Sequence, residues 1–72
     1  MRFPPRYHEL TSRQRQVVKL VSEGWTMKAI GNLLGISIGA VWDHKEKAMT
    51  RANVSDIASL TKYAIRSGLT PV

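Results

Sequence analysis

The stretch "IGNLLGISIGAV", residues 30–41, restricts the fold of this chain more than any other. Gly31 and Gly35 stand four apart at the end of an apolar segment, followed by Ile36, the helix-capping residue Ser37, and Val41. Two helices joined by so short a turn cross closely only if one backbone can approach the other. That requires a small residue in the first helix, a residue tolerant of positive φ in the turn, and apolar anchors beyond it. Gly31, Gly35, Ile36 and Val41 fill these places in that order.

The flanking sequence reads as further short helices. In "LTSRQRQVVKLVSEG", Thr11 precedes Gln14 by three, the spacing of a reciprocal capping box. Leu10, Val17, Val18 and Val21 make one stripe with Leu20 beside it, and Arg13, Arg15, Lys19 and Ser22 are expected to face out. Gly24 is the expected left-handed stop. Trp25, just after it, is expected to cover the core. A second helix is predicted over Met27–Leu34, capped by Thr26, with Ile30, Leu33 and Leu34 inward. A third runs over Ile38–Arg51, with Val41, Ala48 and Ala52 inward and Lys45 and Met49 at the margins. A fourth runs over Ser55–Ser67 and is capped by Gly68. Its main stripe is Ile57, Leu60, Thr61 and Ala64, and a partial second one is Ala58, Ile65 and Leu69. No strand alternation or repeat is present, so the fold expected is all-α, a four-helix bundle. Residues 1–9 read as an extended basic arm or linker because of Pro4 and Pro5, 10–69 as the domain, and 70–72 as a tail.

At 72 residues the chain is close to the lower limit for an independent core, and without cysteine it has no disulfide or thiolate zinc site. Packing alone is expected to supply about 3–5 kcal/mol of net stability. Eleven Lys and Arg against five Asp and Glu leave a net charge of +6, which suits a polyanion. No segment is long and apolar enough for a membrane span or signal peptide, which points to a cytoplasmic address and no membrane partner. His44 has only His8 for company and no ligand set around it, so no metal or cofactor is expected, and His44 reads as packed or backbone-bonded. No nucleophile–base–orienter set or phosphate-cradling glycine loop appears, which argues against an enzyme.

The paired helices fit the helix-turn-helix pattern, whose second helix enters the DNA major groove with its N-terminal half leading. With Val41 and Ala48 inward, the outward set is Gly39, Trp42, Asp43, Glu46, Lys47 and Thr50. Gly39, Trp42, Asp43 and Glu46 are the expected base-facing residues. Thr26, Lys28, Ser37, Lys45 and Lys47 are the expected phosphate contacts. Trp42 has three open readings: thymine methyl or sugar edges, a protein partner, or its own module's surface. Asp43 and Glu46 either accept from a cytosine amino group or are plain surface charge, with Asp43 placed to pair with Lys47 four residues on.

These segments resemble the LuxR/GerE family of bacterial transcription regulators. "LTSRQRQVVKLVSEG" is similar to the family's L-T-x-R-E-x-x-V-L-x-L-x-x-x-G, and "WTMKAIGNLLGISIGAVWDH" to its x-[ST]-x-K-x-I-A-x-x-L-x-I-S-x-x-T-V-x-x-H. "YAIRSGL" resembles the end of its fourth helix, so the likeness runs from about Leu10 to Leu69. Bacterial sigma factors share "LGIS-x-G-x-V", but His44 and the "YAIRSGL" ending favour the LuxR side. The resemblance implies double-stranded DNA as partner, in the bacterial nucleoid, and a homodimer through the fourth helix. Ala58, Thr61, Ala64 and Ile65 are the expected interface, and RNA polymerase or another regulator is a further possible partner. Some positions depart from the pattern. Gln14 replaces a Glu, and Ala29 an acid, which would remove a polar bridge. Ala40 replaces a Thr, Trp42 a Lys or Arg, and Ala52-Asn53 the Leu-Gly pair closing the third helix. Glu46 stands where a basic residue is common. These changes motivate an alternative, a protein-interaction module of the same fold that binds DNA weakly or not at all.

Overall fold

The computed structural model describes residues 10–66. Within them the chain forms α1 (Ser12–Ser22), α2 (Met27–Leu34), α3 (Ile38–Ala52) and α4 (Ile57–Arg66), with no strand among the described residues. The expected arm 1–9, Gly68, Leu69 and the tail 70–72 lie outside them. Each start is set by a side chain that satisfies an amide the helix leaves open. Thr11 Oγ1 accepts from Gln14 N while Gln14 Oε1 accepts from Thr11 N, both at 3.0 Å, closing the capping box. Thr26 accepts from Ala29 N at 3.0 Å and Ser37 from Ala40 N at 3.1 Å. α4 starts at Ile57, two residues later than expected, and Asp56 caps it: its carboxylate accepts from Ser59 N at 2.7 Å, and its carbonyl takes the first helical bond, from Leu60 N.

The ends follow the same logic. Gly24 and Gly35 are left-handed, at φ +94° and +70°, and Asn53 closes α3 at φ 60°. Asn is the residue besides Gly that most readily takes this conformation, so the departure from the family's glycine keeps the turn. Gly31 is where two backbones meet. A Cβ there would lie 2.8 Å from the Ile36 carbonyl oxygen and 3.6 Å from Val41 Cγ2, so any larger residue would push the turn away from α2.

α1 packs against α3 and α4, and α2 against α3. Val17, Val18, Ile30, Val41, Ala48, Leu60 and Ala64 are fully buried, and Leu10, Val21 and Ala52 nearly so. Several side chains sit elsewhere than the stripes suggest. Leu33 and Ile57 are exposed, and Trp25 is only partly shielded, so it does not cover the core as expected. Tyr63, outside the expected stripe of α4, is buried, and Lys45 and Met49 lie in the core instead of at its margin. Ser22, expected to face out, has its hydroxyl buried with no hydrogen-bond partner among the described residues. Gln14 is buried by the cap it closes.

Candidate nucleic-acid interface

The Gly35 turn and the Ser37 cap start α3 at the surface, and Val41, Ala48 and Ala52 tie its inner side to the core. Gly39, Trp42, Asp43, Glu46, Lys47 and Thr50 are all exposed, along one side of the helix. Thr26, Lys28 and Ser37 are also exposed, at the starts of α2 and α3. The two hydroxyl oxygens accept from the helix amides, which leaves each hydroxyl hydrogen to donate outward.

Four charges of α3, Asp43, Lys45, Glu46 and Lys47, are paired within the helix. Lys47 Nζ meets Asp43 Oδ2 at 3.1 Å, with both side chains more than half exposed, in the acid-first order that suits a helix. A pair so exposed contributes little and exchanges readily with solvent or a ligand. Lys45 is different. It is 5% exposed, its ammonium donates to Glu46 Oε2 at 2.8 Å and lies 3.6 Å from Met49 Sδ, and it stands 4.5 Å from the centre of the Trp42 ring. Lys45 was expected to hold phosphate. Its burial and these contacts occupy the ammonium inside the domain instead.

Burial also corrects the fourth-helix surface. Ala64 is fully buried against its own core and offers nothing to a partner, whereas Ala58 is exposed and Thr61 and Ile65 are partly so. Ile38, expected only as the first residue of α3, is exposed on its leading turn. Its position four before Trp42 was the available signal that both lie on one side.

The family model "Bacterial regulatory proteins, luxR family" matches residues 8–64. The chain belongs to the luxR family. Among curated relatives it is similar to the uncharacterized response regulatory protein YgeK of Escherichia coli (strain K12), with 32% identity over 86% of this chain and 42% of that protein. It is similar also to the transcriptional regulatory protein LiaR of Bacillus subtilis (strain 168), with 35% identity over 88% of this chain and 30% of that protein. The chain thus spans less than half the length of either relative. No solved structure matches it significantly. The four helices and the absence of strands among the described residues are those of an all-α domain of the luxR type.

Proposed function

We propose that this luxR-family domain is the DNA-reading part of a transcription regulator and binds double-stranded DNA with α3 in the major groove. The observation that carries the reading is the exposed, unbroken side of α3 directly after a glycine turn in a domain of this family. Gly39, Trp42, Asp43 and Glu46 face the base edges in this reading, and Thr26, Lys28, Ser37 and Lys47 meet phosphate. Lys47 exchanges Asp43 for a phosphate oxygen on binding. Two copies pair through α4 around Ala58, Thr61 and Ile65 and read two half-sites about one helical turn apart. The relatives' names, a transcriptional and a response regulatory protein, agree with this reading.

The test is selection of bound duplexes from a random pool. An enriched site bound more weakly as salt rises is the expected result, with a palindrome if the domain acts as a dimer. Failure to enrich any sequence, or affinity indifferent to salt, would remove the proposal. The self-paired charges of α3 and the half-exposed Trp42 favour one second reading, a module that binds another regulator. Comparing Trp42→Ala with Lys47→Glu separates the two. If only the lysine change abolishes duplex binding, the tryptophan serves a protein.

A further inference from the structure

Ile38, Trp42, Lys45 and Met49 follow one line along α3, at spacings of four, three and four. Burial changes abruptly on that line: Ile38 and Trp42 are each 48% exposed, Lys45 and Met49 only 5% and 7%. An apolar ridge rooted in the core therefore emerges at the leading end of the helix. Lys45 joins its two halves, with its ammonium over the Trp42 ring and held from the other sides by Glu46 and Met49. Taking an ammonium out of water costs stability that an apolar side chain of similar volume would not. The indole face offsets part of that cost only while the ring stays where it is. What Lys45 adds is thus geometric, a ring fixed by one side to the core with the rest of its surface beside Ile38.

We propose that Ile38 and Trp42 read a thymine methyl group, and that Lys45 is the positioning residue that holds Trp42 in place for it. The proposal rests on the reading of α3 as the groove helix. Of the groups that base pairs present in the major groove, the C5 methyl of thymine is the apolar one, and the others are nitrogen and oxygen donors and acceptors. An apolar ridge there has one complementary partner. Gly39, next to Ile38, leaves space for a base edge, since a Cβ there would meet nothing nearer than Ser37 Oγ at 3.9 Å. Asp43 and Glu46 accept only, which disfavours the two acceptors of guanine beside the ridge. The net charge of +6 favours a duplex over a neutral protein surface as the occupant.

The experiment uses the duplex enriched by selection and replaces each thymidine in turn by deoxyuridine, which removes the methyl and keeps the base pair. At one or two positions the wild-type chain is expected to lose about fourfold in affinity, the effect of one buried methyl-sized group. Trp42→Ala is expected to bind both duplexes equally, and Trp42→Phe to keep part of the preference. Lys45→Met is expected to flatten the preference and Lys45→Arg to restore it, with the melting temperature of each free variant measured alongside. A Lys45→Met chain that keeps the full thymidine-to-deoxyuridine ratio, whatever its melting temperature, would overturn the positioning role. Should Trp42→Ala fail to fold, Ile38→Ala supplies the same comparison. Wild-type affinity unchanged at every substituted position overturns methyl reading while leaving DNA binding in place. A pool that yields no enriched duplex removes the DNA reading and this inference together.

Discussion

Gly39 is exposed in the first turn of α3, and nothing in the domain requires it to be a glycine. Its backbone is helical, and a Cβ would make only ordinary contact with Ser37. Gly39→Ala is therefore expected to raise stability, by up to about 1 kcal/mol, as judged by urea unfolding. If duplex affinity falls in the same variant, the missing side chain serves the approach of a base edge. Asp56 is the other residue with a distinct signature. The amide of Ser59 foremost, then the Ser59 side chain and the nearby Lys62, holds its carboxyl below the usual 3.8. A lowered carboxyl pKa means that the ionised cap favours the folded state above the unfolded value, and that this contribution is lost as pH falls through the folded one. The melting temperature of the wild type is expected to exceed that of Asp56→Asn at neutral pH, and the gap to close below about pH 4. A gap constant with pH would show that the charge on Asp56 does not matter to the fold.

Among the elements, the α2–α3 joint has least tolerance. Alanine normally favours a helix over glycine, so Gly31→Ala gains in propensity. Against that stands the 2.8 Å approach to the Ile36 carbonyl, which is backbone and cannot rotate aside. The clash is expected to win, with a net loss of about 1–3 kcal/mol in urea unfolding. Duplex affinity is expected to fall with it, because a displaced turn re-aims the start of α3. A chain as stable as the wild type would mean that the turn can shift without cost. The same joint explains why Leu33 is exposed. Ile30 and Leu34 face the core from α2 and Ile36 packs against it from the turn, while Leu33 stands on the outer side of the helix.

For the molecule as a whole, charge and association are the open quantities. The exposed side of α4 carries Ala58, Ile57 and partly Ile65, with Ala64 facing its own core. If this surface pairs two copies, Ile65→Asp is expected to shift sedimentation from dimer to monomer and leave the melting temperature of the monomer within a few degrees. An unchanged sedimentation profile would place association elsewhere or remove it. With two phosphates neutralised per module, by Lys28 and Lys47, affinity is expected to drop roughly tenfold for one module and roughly a hundredfold for a pair between about 50 and 200 mM salt.

Periodicity and capping chemistry act over three or four residues, and for that reason the helices, the Gly31–Gly35 joint and the exposed set on α3 were all legible in the amino-acid order. Thr11, Thr26 and Ser37 find their amides three residues on, whatever the rest of the chain does. Asp56, three before Ser59, carries the same signal, although the helix was expected to start earlier, at Ser55. Burial is another matter. Lys45 and Tyr63 lie inside, and Ile57 and Leu33 outside, according to which stretches of each helix its packed neighbours cover, α1 on α3 and α4 and α3 on α2. A helical wheel ranks residues by polarity, so it sends a lysine outward and an isoleucine inward. Only the packed neighbours determine which side is covered, and here they put the ammonium of Lys45 under the Trp42 ring.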